Sequence, residues 1–309
     1  MRLFTEFPSY TLAGLLIGAV YVFLALGYSL VYRVLKLVDL SYSAALTVSM
    51  FVALALAGRW SPAKLSTSGA ILFTLATVAV SVVVCVAVRV LLQMAMFQPL
   101  RRRNAPSLVV VIASLGVYYV LQEAMGLWKG QDLINYTLPF TNSSLFSVGG
   151  ASVNIVDLAL LVVAGAAAAT VGVWLRRSSF GKSVTAVAQD PIAAQLNGIS
   201  VNVVANTLFA VTGVLGGLGA VLYLFYFTNT SYDVGLGLAV NGLIAALLGG
   251  MGNVSGAVVG SFVFGLVESY GGAVFGATWQ NVIGYAALVV LLLVAPSGLI
   301  REQRGFARA

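Results

Sequence analysis

Residues Arg176–Asn202 read RRSSFGKSVTAVAQDPIAAQLNGISVN, a polar stretch set between two long apolar runs, 154–175 and 203–227. Each run is long enough to cross a hydrocarbon core of about 30 Å as a helix, which takes about 20 apolar residues. The polar stretch is therefore a connection between two membrane spans. Arg176, Arg177 and Lys182 at its start place it on the cytoplasmic side, where Lys and Arg accumulate. Within it, Asp190-Pro191 reads as an N-cap followed by Pro at the first helical position. Gly198 reads as the stop of that helix. One or two short helices along the membrane surface are expected.

The rest of the chain agrees with this reading. Of 309 residues, 60% are hydrophobic and only 8% charged, against about 25% charged in soluble domains. Nine apolar segments follow from the hydrophobic runs: 11–32, 42–58, 69–92, 107–127, 154–175, 203–227, 237–250, 255–275 and 279–297. The chain is expected to be an all-α polytopic membrane protein of about eight or nine transmembrane helices, forming a single transmembrane domain over 1–309. The short, Gly-flanked segment 237–250 reads as a full span or as a broken or re-entrant one. The first run follows Arg2 without a small-x-small site, so it is taken as a retained span rather than a cleaved signal.

Orientation follows from the charges. With the N-terminus outside, the cytoplasmic side holds Arg33, Lys36, Arg89, Arg101, Arg102, Arg103, Arg176, Arg177, Lys182, Arg301, Arg304 and Arg308. That is twelve of the sixteen basic residues. N-out and C-in is therefore expected. The longest outside loop, 128–153, carries Pro139, Asn142, Ser143, Ser144 and Gly149-Gly150, turn chemistry suited to a lid, a partner contact or a plain connector.

Several chemistries are excluded. The chain has no His and a single Cys, Cys85. Ser-His-Asp triads, His-ligated metals and thiolate clusters are ruled out, and no metal site is expected. The string Phe180-Gly181-Lys182-Ser183 lacks the first Gly of a phosphate-binding loop, since Arg176 stands there, and no apolar strand precedes it. If ATP drives this protein, the ATPase is another chain. The net charge of +7 records orientation rather than nucleic-acid binding.

Polar residues inside apolar spans are the default functional candidates. Glu123 and Glu268 should each face protein or water, because a carboxylate at the bilayer centre costs about 2.5–3.5 kcal/mol on insertion scales. Asn206, Asn241, Gln280 and Asn281 can join helices by hydrogen bonds. Gly213 and Gly217, and Gly252, Gly256 and Gly260, recur at four-residue spacing, which on a helix forms a face for close packing. Leu40-Ser41-Tyr42-Ser43 after the first span echoes Thr230-Ser231-Tyr232-Asp233 after the sixth, as an inverted repeat would.

The cytoplasmic stretch also carries a family pattern. Gly181, Lys182, Ala186, Asp190, Ala193, Ala194, Gly198 and Ile199 fall in the order G-[RK]-x-x-x-A-x-x-x-D-x-x-A-A-x-x-x-G-I. This resembles the cytoplasmic loop of ABC-importer permeases of the branched-chain amino-acid type. Leu248–Gly260, LGGMGNVSGAVVG, and Ala295–Ile300, APSGLI, resemble two further patches of that family, as do Leu121-Gln122 and a Glu at 268. Where the family has N-[FL]-A-H-G, this chain has Asp39, Leu40, Ser41, Tyr42 and Ser43. The resemblance spans roughly residues 10–300.

What the resemblance implies is a permease subunit, not an enzyme, for amino acids of the branched-chain type or a related small polar solute. It would work in the bacterial cytoplasmic membrane with ATPase subunits that bind ATP-Mg, a second permease subunit, identical or homologous, and an extracytoplasmic binding protein. This chain itself would bind no cofactor. Loop 176–202 would couple the ATPase to the spans through Gly181, Lys182, Ala186, Asp190, Pro191, Ala194 and Gly198. Asp39, Ser41, Tyr42, Ser43, Glu123, Asn241 and Glu268 are the expected substrate path. The alternative is an ion-coupled secondary transporter using an intramembrane Glu.

Overall fold

The computed structural model describes residues 7–59, 67–130, 132, 134–135, 144–148, 151–295 and 298–300. Twelve α-helices carry the described chain, and the first ten are α1 (Phe7–Leu35), α2 (Ser41–Arg59), α3 (Thr67–Leu92), α4 (Gln98–Arg102), α5 (Ser107–Lys129), α6 (Ile155–Arg177), α7 (Ser179–Gln189), α8 (Pro191–Leu196), α9 (Val201–Phe227) and α10 (Val234–Gly249). They are followed by α11 (Val254–Phe275) and α12 (Gln280–Val294). Among the described residues, seven helical segments are long and apolar enough to cross a membrane. The chain is a multi-pass, all-α membrane protein.

The third span runs further than the apolar run 69–92 indicates. A π turn at Gln93–Phe97 joins α3 to α4, and Pro99 enters the first turn of α4, where its missing N–H costs least. The apolar span thus reaches Arg102. At 16 residues, α10 is about 24 Å long, shorter than the hydrocarbon core.

α1 and α9 are the buried pillars of the bundle, and each is lined by a glycine seam. A Cβ on Gly14 or Gly18 would meet the Cα of Leu266 or Phe262 at 2.9 and 3.0 Å, so α1 lies backbone to backbone on α11. A Cβ on Gly213 or Gly217 would meet the Cα of Val86 or Val82 at 2.6 and 2.5 Å, so α9 lies the same way on α3. Residue numbers rise on one partner and fall on the other, so both pairs are antiparallel. In lipid, where apolar surface gains nothing by leaving solvent, this dispersion contact is a main source of helix association.

The two seams correspond position for position, and the correspondence extends outward. Each pillar is followed by a shorter apolar helix, α2 or α10, and then by the helix that packs on the other flank. Val31 near the end of α1 packs with Phe209 near the start of α9, so the pillars run in opposite directions. This is the inverted repeat that the Ser-Tyr echo points to. Both echoes sit just before or at the start of the short helices.

Gly256 and Gly260 of α11 press on Gly249 and Ala245 of α10. Gly252 does not share that helical face. It lies in the turn between the two helices at φ +90°, because α11 starts only at Val254 under an Asn253 cap. This corrects the expected glycine triplet. The closing segment returns to the same turn: Leu299 N–H donates to the Leu248 carbonyl at 2.8 Å. Two stretches singled out in the sequence, Leu248–Gly260 and Ala295–Ile300, thus pack as one unit.

Beyond α5, strand Ile134–Asn135 pairs antiparallel with Asn229–Thr230. Ser144–Val148 forms a hairpin with Ala151–Asn154. Pro139, Asn142, Ser143 and Gly149-Gly150 lie outside the described residues, as do Arg301, Arg304 and Arg308.

Candidate functional site

The polar loop folds into an elbow of two helices. Ser178 caps α7 by accepting from Gly181 N–H at 3.0 Å. Gly181 sits so close to the carbonyl of Leu175 that a Cβ has no room. Phe180 stacks on Trp174, ring centroids 4.9 Å apart, and Val184 and Val187 bury against the bundle. Asp190 then ends α7 and caps α8, accepting from Ile192 N–H at 2.8 Å and Ala193 N–H at 3.0 Å. Pro191 occupies the first turn. Gly198, at φ +81°, reverses the chain, and Ile199 N–H closes on the Ala194 carbonyl at 3.0 Å.

One face of this elbow is anchored and the other is free. Ala194 is buried, whereas Ile192 and Leu196, one helical turn apart, are 73% and 84% exposed. Lys182 and Asp190 are exposed and Ala186 is partly buried. A recess of about 720 Å³ lies beside α8, lined by Arg101, Arg102, Pro191, Gln195 and Asn202 among others. Arg101 donates to Asn202 Oδ1 there at 2.6 Å. Arg176 reaches Ser255 at 3.5 Å. The basic ends of α4 and α6 and the starts of α9 and α11 are thus gathered around the elbow.

Inside the bundle, the expected path residues fall into two polar centres and one outlier. In the first centre, Asp39 is buried at the α1–α2 bend. Its Oδ1 accepts from the Ser41 N–H at 3.0 Å and the Ser41 hydroxyl at 2.5 Å. Its Oδ2 pairs with Arg89, the one ion pair among the described residues. Arg89 was expected at a cytoplasmic span end. It is instead fully buried, because α3 continues past it. Its guanidinium lies over the rings of Phe209 and Tyr42, at 4.4 and 4.8 Å, and donates to Thr212. Tyr42 donates to the Phe23 carbonyl at 3.0 Å, and Ser43 to the Leu40 carbonyl. Every charge in this centre has a partner.

The second centre joins α1, α10 and α11. Tyr21 donates its hydroxyl to Glu268 Oε2 at 2.8 Å and accepts from Asn241 Nδ2 at 2.9 Å. Asn241 Oδ1 is buried without a hydrogen-bond partner among the described residues. A cavity of about 240 Å³ adjoins the three side chains, with Gln280 and Asn281 of α12 in its lining. Under the repeat, Ser269 takes the place of Arg89 and Tyr10 that of Phe209. Ser269 indeed donates to the Tyr10 carbonyl at 2.7 Å. Glu268 therefore sits one residue from the counterpart of Arg89, with no basic residue paired to it among the described residues.

Glu123 is the outlier. It lies on the exposed face of α5, away from both centres, while its neighbour Gln122 faces inward. Asn206 keeps a buried Oδ1 without a partner. Tyr21, Thr212 and the inward position of Arg89 were not foreseen from the sequence. A basic residue inside an apolar run is the one signal that pointed to any of them.

A family profile described as branched-chain amino acid transport system / permease component matches residues 10–294. The chain belongs to this family. Among its relatives, the high-affinity branched-chain amino acid transport system permease protein BraD of Pseudomonas aeruginosa is 26% identical, over 93% of each chain. The corresponding LivH of Escherichia coli K12 is 24% identical over the same shares. An autoinducer 2 import system permease protein, LsrD of Escherichia coli O157:H7, is 28% identical over 62% of this chain and 61% of its own. No solved structure matches the chain. The relatives' names describe membrane permease subunits of transport systems rather than enzymes.

Proposed function

We propose that this chain is the permease subunit of an ATP-driven importer, carrying branched-chain amino acids or a related small polar solute across a bacterial cytoplasmic membrane. It works beside cytoplasmic ATPase subunits, which bind ATP-Mg, a second permease subunit and an extracytoplasmic binding protein. The N-terminus is outside and the α7–α8 elbow inside. The observation that carries the reading is the elbow itself, a capped two-helix unit with exposed Ile192 and Leu196 on its free face. An apolar pair on a short helix, ringed by basic span ends, is what a docking partner would grip. The anchored face, packed through Gly181, Val184, Val187 and Ala194, would pass a push to α6 and α9.

Alternating access then means that ATPase closure shifts the elbow, and with it the pillars α1 and α9. Small movements at an element with two packed arrangements become large ones at its far end. The test is solute-stimulated ATP hydrolysis in the reconstituted complex. Replacing Gly198 with a bulky residue, or deleting Asp190–Ala194, is expected to leave membrane insertion intact and abolish the stimulation. Unchanged stimulation in a well-folded variant overturns the coupling role.

A further inference from the structure

The cavity beside Tyr21, Asn241 and Glu268 combines a buried carboxyl group, a buried amide and apolar walls. Three observations meet there. Glu268 is 2% exposed and has no cationic partner among the described residues. Asn241, 8% exposed, leaves its Oδ1, a hydrogen-bond acceptor, unused. The space adjoining both is about 240 Å³, just below the roughly 300–1,000 Å³ of pockets for drug-sized molecules. It is walled on its other parts by apolar groups, Ile17, Val20 and Leu238 among them. Among the described residues Asn241 Oδ1 is a buried acceptor without a donor and Glu268 a buried carboxyl group without a counter-charge, and each is costly unless something supplies the partner.

The comparison with the first centre sharpens this. There the carboxylate of Asp39 meets the guanidinium of Arg89. In the second centre the protein supplies the carboxylate and leaves out the cation. Tyr21 donates to Glu268 Oε2 and is itself held by Asn241, and the Gln280 side chain is a second hydrogen-bond partner of the carboxyl group. The carboxyl group is thus oriented by a fixed pair of hydrogen bonds.

We infer that this cavity is a solute subsite for a small molecule bearing a primary ammonium group and a short aliphatic body. The ammonium donates to the Glu268 carboxylate and to Asn241 Oδ1. The aliphatic part lies against Ile17, Val20 and Leu238. A primary ammonium has three donors in a compact head, which suits two acceptors in a small space better than a planar guanidinium does. Solutes that lack the ammonium but keep the body would be discriminated against, since Asn241 Oδ1 would stay without a donor and Glu268 without a counter-charge.

The inference rests on reading the chain as a permease, but its test needs neither ATP nor partner subunits. Gly237 of α10 lines the cavity and a Cβ there meets nothing within 4 Å. Gly237→Cys in the full-length protein in nanodiscs is labelled with a cationic and an anionic methanethiosulfonate, each rate normalised to that with a free thiol. Cys85 is buried, so the parent chain provides the unlabelled baseline, and Asn281→Cys on α12 is a second labelling position. The cationic reagent is expected to react about fivefold faster or more, through Coulomb attraction at short range, and Glu268→Gln in the same background is expected to erase the preference. L-leucine is expected to slow labelling, and 4-methylpentanoate, which lacks the ammonium, is not. Equal normalised rates at both positions, or no difference between the two protecting molecules, overturns the subsite. Either result leaves the permease reading standing, because coupling through the elbow is tested separately.

Discussion

The Asp39 centre and the Glu268 centre occupy related places in the two halves of one inverted repeat, yet they have been finished differently. Around Asp39, the cation, the rings of Tyr42 and Phe209 and the hydroxyls of Ser41 and Thr212 give both charges their partners. Around Glu268, Tyr21 donates to one carboxylate oxygen and is itself held by Asn241, whose unpaired Oδ1 lies beside a cavity. The lesson is that a buried carboxylate is not one kind of object. With a full set of partners it fixes the geometry of a bend. Without a counter-ion and beside a void it is available to something that arrives.

If that contrast is right, like substitutions will have unlike effects. The largest is expected at the closed centre. Asp39→Asn leaves the Arg89 guanidinium buried without its counter-charge, and breaking such a pair costs about 3–5 kcal/mol. The check is the unfolding midpoint of the detergent-solubilised protein. A paired replacement, Asp39→Leu with Arg89→Met, is expected to recover most of the loss, since apolar groups of similar volume substitute well for a buried ion pair. If the single variant is as stable as the parent, the centre is not a structural lock.

The next effect concerns the seams that make the two halves comparable. Gly18→Val and Gly217→Val each insert side-chain volume where the partner backbone is already in contact, an overpacking that costs about 1–3 kcal/mol. Similar losses in both, measured by the same unfolding midpoint, support equivalent seams. A loss at one seam alone would break the equivalence of the halves.

The smallest effect is expected at the open centre. Glu268→Gln keeps size and an acceptor for the Tyr21 hydroxyl, and no counter-ion is stranded, so stability should change by less than about 1 kcal/mol. A loss as large as that of Asp39→Asn would mean that Glu268 is a structural group after all.

The division between what the sequence showed and what it hid follows the range of the interactions. The elbow was legible because its signals are local: an Asp-Pro cap, a glycine stop and flanking basic residues act within a few positions. The spans were legible for the same reason, since length and hydropathy are properties of single segments. Glu268 and Asn241 stood out as polar residues in apolar runs, but what joins them, Tyr21, looks like any aromatic in an apolar helix. Arg89 was misplaced because a span's end was drawn at the first break in hydrophobicity, and Gln93 is only a π turn. Gly252 was misread because four-residue spacing does not reveal where a helix begins. Gly14 and Gly18 went unremarked because a glycine seam is defined by its partner helix, which lies some 250 residues away in sequence.

The central claim is that ATP on another chain, and not an ion gradient at Glu268, drives transport through this one. Uptake of radiolabelled L-leucine into vesicles carrying the complete complex, with ATP clamped and with or without a protonophore, tests it most directly. The account predicts uptake that stops when ATP is withdrawn and continues when the proton gradient is collapsed. Uptake that is lost on adding the protonophore, with ATP still present, would contradict it and make Glu268 the coupling site of a secondary transporter.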